Sequence, residues 1–216
     1  MLEKALENIR VLCHSSIKFE KEKTIYFDPF KVDKNYNDAD IIFITHSHYD
    51  HFSEEDILKV KKETTKIVMP EETYISNKEK LNNVLGFKEE NIITVEPNKF
   101  YTVDNIKFKT IPAYNINKNF HPKENNWVGY IIYLDNISYY IAGDTDITEE
   151  NKQVKCDVAF VPIGGTYTMT AKEAAELINI IKPKIAVPTH YGLIVGTKED
   201  EEIFKRLIGD VSFANF

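Results

Sequence analysis

The sequence predicts an α/β fold with mixed sheets, and three observations carry that prediction. Short apolar or alternating runs, bounded by turn residues, recur along all 216 residues. Two hairpin signals, Asp104-Asn105 and Asp135-Asn136, mark antiparallel pairs. One β-α-β pattern also occurs twice. Asp40-Ile41-Ile42-Phe43-Ile44-Thr45 precedes a capped helix and Lys66-Ile67-Val68-Met69-Pro70. Asp157-Val158-Ala159-Phe160-Val161-Pro162 precedes another and Lys184-Ile185-Ala186-Val187-Pro188. Lys66 lies 26 positions after Asp40, and Lys184 lies 27 after Asp157. We read two related halves within a single domain spanning 1–216, because no linker or low-complexity segment interrupts the chain.

The elements follow in order. Strands are expected at 9–13, 16–20 and 23–27, the last two joined by the charged turn Glu20-Lys21-Glu22-Lys23 and ended by Asp28-Pro29. A buried strand covers 41–44. Ser53 is the expected N-cap of a helix over 54–62, whose acidic first turn suits the helix dipole. A strand over 66–69 stops at Pro70, and a helix over 71–85 ends against Gly86. Strands are then expected at 92–95, 99–103 and 106–111. The polar stretch 115–126 is long for a loop, which suggests a functional role. A hairpin covers 127–134 and 137–142, and a strand covers 157–161. The Thr170-Ala171-Lys172-Glu173 capping box opens a helix to about Lys182. A strand over 184–187 leads to His190, and a helix over 198–207 precedes a last strand at 211–213.

Composition narrows the function. The formal charge of −7 argues against a broad nucleic-acid footprint, which would be basic, and no nucleic-acid partner is expected. No apolar run reaches membrane-span length, so no transmembrane segment is expected. The start Met1-Leu2-Glu3-Lys4 lacks the pattern of a secretory signal. The only two cysteines, Cys13 and Cys156, lie far apart and read as reduced, buried residues of a cytoplasmic protein.

The chemistry concentrates in His46-Ser47-His48-Tyr49-Asp50-His51, which holds three of the six histidines directly after a buried strand. Neutral imidazole and carboxylate are ligands for zinc, manganese or iron. One tetrahedral ion cannot take this many donors from one loop, so two adjacent metals are expected, and with them hydrolysis. His46 and His48 can turn to one ion, and Asp50 and His51 to a second. Gly143-Asp144 and His190 add a carboxylate and an imidazole at two further strand ends, with Asp144 as the candidate bridge.

This order, H-x-H-x-D-H, then G-D-T, then a late histidine after a strand, is similar to the metallo-β-lactamase superfamily. His14-Ser15-Ser16 and Asp28-Pro29 resemble its lactonase-like and N-acyl-phosphatidylethanolamine phospholipase D-like branch. The resemblance implies a metallo-β-lactamase-like four-layer αβ/βα sandwich with two mixed sheets. It places His46 and His48 on the first metal, Asp50, His51 and His190 on the second, and Asp144 between them. The family usually supplies a third histidine just after Ile111-Pro112-Ala113, where this chain has Tyr114-Asn115. His121 is the expected substitute ligand, with a substrate-contact or surface role as the alternative.

The expected function is a dinuclear metal-dependent hydrolase, a cytoplasmic enzyme cleaving an ester-type bond, phosphodiester or lactone, of a small molecule. Two divalent ions are expected, zinc first, with manganese or iron as alternatives. A water shared by the cations would lose its proton near neutral pH. Asp50 is expected to orient the resulting hydroxide and take its proton. His14 is expected near the metals as a proton shuttle, or otherwise as a structural histidine. Tyr191 and Asn115 are candidate substrate contacts, and Asp28 is expected to orient a ligand or fix its turn. Two alternatives remain: a catalytically silent metal-binding or sensing module, and a diiron redox protein of the same fold. The redox proteins normally carry glutamate where His48 stands. The oligomeric state is open.

Overall fold

A computed structural model describes residues 2–216. The chain divides into two compact units. One is Leu6–Glu96 with Phe216, and the other is Pro97–Asn215 with the residues up to Ala5.

The N-terminal unit carries one mixed sheet in the order β1-β2-β3-β4-β5-β6, comprising β1 Ile9–Cys13, β2 Ser16–Glu20, β3 Thr24–Phe27, β4 Ala39–Phe43, β5 Lys61–Pro70 and β6 Ile92–Val95. The first three strands pair antiparallel, and β3 to β6 run parallel. Helix α2, Glu54–Val60, joins β4 to β5. Ser53 caps it as expected, its hydroxyl accepting from the Asp56 N–H. The helix stops two residues short of the expected end, because 61–65 join β5. The register jumps there from Ala39↔Lys61 to Ile41↔Lys66, which accommodates the extra residues as a bulge. The single helix expected over 71–85 is α3, Glu71–Glu79, continued by one π turn over Lys80–Val84. Gly86 follows at φ +63, as a helix-ending glycine should. The core packs Ile42, Ile57, Val60, Ile67, Met69 and Leu81 together.

The C-terminal unit carries a second mixed sheet in the order β13-β12-β11-β10-β9-β8-β7. Its strands are β7 Phe100–Val103, β8 Ile106–Pro112, β9 Val128–Leu134, β10 Ile137–Ile141, β11 Val158–Pro162, β12 Ile185–Thr189 and β13 Ser212–Phe213. Here β7 to β10 pair antiparallel and β10 to β13 parallel. Both hairpin turns place Asp and Asn at positive φ, which a tight two-residue turn requires. Helix α4, Ala171–Ile181, opens with the Thr170–Glu173 capping box, and α5, Lys198–Leu207, opens with a second box from Thr197 and Asp200. The apolar face of α4, with Ala174, Leu177, Ile178 and Ile181, covers Ala159, Val161 and Ala186 of the sheet. A short helix α1, Leu2–Leu6, was not expected from the sequence; in this unit the Tyr139 hydroxyl donates to the Ala5 carbonyl.

The internal echo has a physical counterpart in each unit. Asp40 Oδ2 accepts the Thr24 N–H at 2.8 Å while Oδ1 holds Lys62 at 2.7 Å. Asp157 Oδ2 accepts the Ser138 N–H at 2.9 Å while Oδ1 holds Lys184 at 2.7 Å. Each aspartate therefore pins the start of its strand to the parallel neighbour. Among the described residues no helix is long and apolar enough to cross a membrane. Both cysteines are free and half-buried.

Candidate metal centre

In the N-terminal unit the chemistry sits beyond the C-terminal ends of β3 and β4, where parallel strands deliver their loops. Asp28 follows β3 at φ +43 and is buried. Its Oδ1 accepts the Thr45 N–H at 2.8 Å, and its Oδ2 accepts the Thr45 hydroxyl at 2.7 Å and His51 Nδ1 at 2.7 Å. Burial pushes this carboxyl above its ordinary value, and His51 and Thr45 oppose that push. With its hydroxyl hydrogen committed to Asp28, Thr45 Oγ1 can only accept from His46 Nδ1, 2.9 Å away. The hydrogen bonds therefore assign the tautomers. His46 and His51 both carry hydrogen on Nδ1 and keep the Nε2 lone pair for a ligand.

The rest of the loop completes this donor set. The His51 and Phe52 N–H groups both donate to the His48 carbonyl, which winds the loop tightly. His46 Nε2 and His48 Nδ1 lie 3.0 Å apart. Two nitrogens on one tetrahedral zinc sit roughly 3.3 Å apart, so this pair has the spacing of two ligands on one ion. Asp50 Oδ2 lies 3.6 Å from His51 Nε2 and 3.4 Å from His14 Nε2. His14 turns between β1 and β2 at φ +56 and is buried.

In the C-terminal unit the donors leave β8, β10 and β12, three strands of one direction. Gly143, at φ +65, turns the chain from β10 into Asp144. Asp144 Oδ2 lies 3.0 Å from His190 Nε2 and 3.3 Å from His121 Nε2. Asn115 sets the orientation of His121, since its Oδ1 accepts both the His121 N–H at 3.0 Å and Nδ1 at 3.1 Å. Its Nδ2 donates to the Tyr167 carbonyl at 2.9 Å. His121 Nε2 then carries a lone pair and faces a carboxylate oxygen. Two lone pairs so placed repel unless a positive charge lies between them, either a second proton on His121 or a metal ion. This is the observation that fits the residues to a metal.

His190 has a left-handed backbone at φ +55, an uncommon conformation for a residue with a side chain and one that clusters at functional sites. Its carbonyl fits because Gly164 has no Cβ; one placed there would lie 2.3 Å from the His190 oxygen. Packing against His190 therefore requires glycine at position 164. The Tyr191 hydroxyl donates to Glu201 at 2.6 Å.

The structure gathers His14, His46, His48, Asp50 and His51 in one unit, and Asn115, His121, Asp144 and His190 in the other. Sequence reasoning missed Thr45, whose hydroxyl links Asp28, His46 and His51, and the hold of Asn115 on His121. A hydroxyl residue directly before a ligand cluster was the available signal for Thr45.

Residues 8–190 match the family described as the beta-lactamase superfamily domain. A UPF0173 metal-dependent hydrolase of Thermococcus onnurineus is 32% identical over 216 residues, covering 94% of this chain and 92% of the relative. One from Thermoplasma acidophilum is 31% identical over 221 residues, covering 95% and 93%. Among solved structures, a metal-dependent hydrolase of Parabacteroides distasonis superposes with a TM-score of 0.76 at 28% identity, covering 96% of this chain and 91% of that one. A metallo hydrolase of Ignicoccus hospitalis gives 0.75 at 22% identity, covering 96% and 94%, a likeness of fold.

Proposed function

The chain belongs to the metallo-β-lactamase superfamily, within its UPF0173 metal-dependent hydrolases, and we propose that it is a dinuclear hydrolase cleaving an ester-type bond, phosphodiester or lactone, of a small molecule. In this reading His46, His48 and His121 hold one divalent ion. Asp50, His51 and His190 hold the second, and Asp144 serves both. Zinc suits the imidazole-rich set best, with manganese or iron as alternatives. The branch resemblance in His14-Ser15-Ser16 and Asp28-Pro29 favours lactone or phosphodiester over β-lactam.

The observation that carries the reading is the tautomer assignment at His46, His51 and His121. Each donates Nδ1–H to a buried oxygen and keeps Nε2 for a cation. The bound ions would supply acidified water and a Lewis acid for the attacked group. The residues do the rest. Asp50 Oδ2 takes the proton of the attacking water. His14 Nε2, 3.4 Å from that oxygen, passes a proton to the leaving group. Thr45 and Asp28 keep the ligand rings from rotating. Tyr191, its hydroxyl held by Glu201, would contact substrate through its ring.

Elemental analysis of purified protein, followed by turnover of bis-(p-nitrophenyl) phosphate and a simple lactone, tests the proposal. Asp50→Ala, loaded with excess metal so that both ions are bound, should abolish turnover. An unchanged rate in that variant would contradict the role given to Asp50, and a fully loaded wild type without activity would favour a silent binding module.

A further inference from the structure

The loops that carry the C-terminal donors also present apolar surface. Phe120, directly before His121, is 46% exposed, and Ile116, directly after Asn115, is 54% exposed. Leu193, three residues after His190, is 46% exposed. The Phe120 ring meets the Tyr167 ring edge-on at 4.7 Å, and the Tyr167 carbonyl is the one Asn115 grips. This aromatic pair is thus tied through Asn115 to the His121 ligand. Single exposed apolar residues are ordinary, but three on the loops that carry one set of donors mark a candidate binding surface.

The cationic side chains on these loops are already engaged. The Lys118 ammonium pairs with Asp146, and that of Lys123 with Glu150 and the Tyr114 hydroxyl. Segments 163–169 and 190–196 contain no Lys, Arg, Asp or Glu. These loops therefore offer an anionic group beside the reacting bond little beyond the metals, and an apolar group a great deal.

We propose that the substrate is an uncharged carboxylic ester or lactone bearing an apolar arm, and that the arm lies against Phe120, Tyr167 and Ile116. This rests on the hydrolase reading above and narrows it from ester-type bonds in general. Water adds to the carbonyl carbon, the acyl C–O bond breaks, and the departing oxygen takes a proton, so a lactone gives its hydroxy acid. The polar end of the substrate meets the donor cluster, while Phe120 and Tyr167 supply rigid area that discriminates by arm length.

The test is kcat/KM of the metal-loaded protein on γ-lactones with methyl to hexyl arms, with bis-(p-nitrophenyl) phosphate alongside. Wild type should gain roughly two- to fourfold per added methylene over the shorter arms. Phe120→Ser and Ile116→Ser should flatten that series, with metal content unchanged and with unchanged emission from Trp127, whose ring lies edge-on to the His121 ring at 5.7 Å, to show that His121 keeps its place. Ile75→Ser, a change at an exposed residue of α3, should keep the wild-type slope. A flat series in wild type, or a higher kcat/KM on the diester than on every lactone, overturns the inference while leaving the hydrolase reading intact. A slope that survives Phe120→Ser and Ile116→Ser overturns the assignment of the arm to these residues. Turnover of no substrate by fully loaded protein brings down the hydrolase reading itself, and this inference with it.

Discussion

Replacing Asp28 isolates the device that aims His51. The carboxylate accepts three hydrogen bonds at 2.7–2.8 Å while buried, from the Thr45 N–H, the Thr45 hydroxyl and His51 Nδ1. Asp28→Asn keeps the shape but gives up one acceptor edge for an amide NH2. Whichever way that amide turns, an N–H faces either His51 Nδ1–H or the Thr45 N–H. The His51 ring can relieve the first conflict only by moving its hydrogen to Nε2, which removes the lone pair offered to metal. Loss of such an orienting partner typically costs 10- to 100-fold in metal affinity, or about 1.4–2.7 kcal/mol. Asp28→Ala leaves all three donors without an acceptor. It should lose as much affinity and also destabilise the metal-free protein, by about 1–3 kcal/mol for each donor left unsatisfied. Chelator-competition titration reads the first quantity, and urea unfolding of metal-free protein reads the second. Wild-type metal affinity in a folded Asp28→Ala protein, where His51 Nδ1–H has lost its acceptor in every arrangement, would refute the tautomer argument, and with it the observation on which the functional reading leans.

Two further expectations concern the supports of the site and its unit. Gly164→Ala places a methyl 2.3 Å from the His190 carbonyl and 2.6 Å from Val195 Cγ2, so backbone must move. It should cost about 1–3 kcal/mol in urea unfolding and lower metal occupancy, and a neutral result would contradict the packing. Asp56 is pushed up by burial, but Ser53, Lys59 and the N–H groups of Val32 and Lys31 outweigh that and hold its carboxyl below the ordinary value. A group depressed in the folded state stabilises above its unfolded pKa, near ~4, and loses that contribution as pH falls through the folded value. Asp56→Asn should therefore cost about 1.5–3 kcal/mol at pH 7 and progressively less as the medium is acidified below ~4. A gap independent of pH would contradict the assignment.

Local chemistry made much of the fold legible. Asp104-Asn105 and Asp135-Asn136 named their own turns, and Thr170 with Glu173 named a helix start, because each signal is complete within four residues. Where the deciding partner lies far along the chain, the sequence was silent. Lys61 and Lys62 read as the end of a helix and 63–65 as a connection, yet β4 draws 61–65 into a bulged strand, with the Thr65 hydroxyl bonded to the Ala39 carbonyl. Lys18 read as an ordinary strand residue. It is buried, its ammonium held by Asp38 and Glu20 and lying 4.3 Å from the Tyr36 ring centre. The histidine cluster was legible because its density has few other uses. Thr45 carried a local signal, a hydroxyl directly before the cluster, that went unread, whereas nothing near Asn115 in sequence states that it sets the His121 tautomer.

The central claim is that these donors hold a pair of ions in common. The most direct measurement is the number of zinc or manganese ions per chain after reconstitution and desalting, in wild type and in Asp144→Ala. The account predicts about two ions per chain for wild type and a fall below one when the shared carboxylate is removed. A single ion in wild type, or two retained without Asp144, would contradict it.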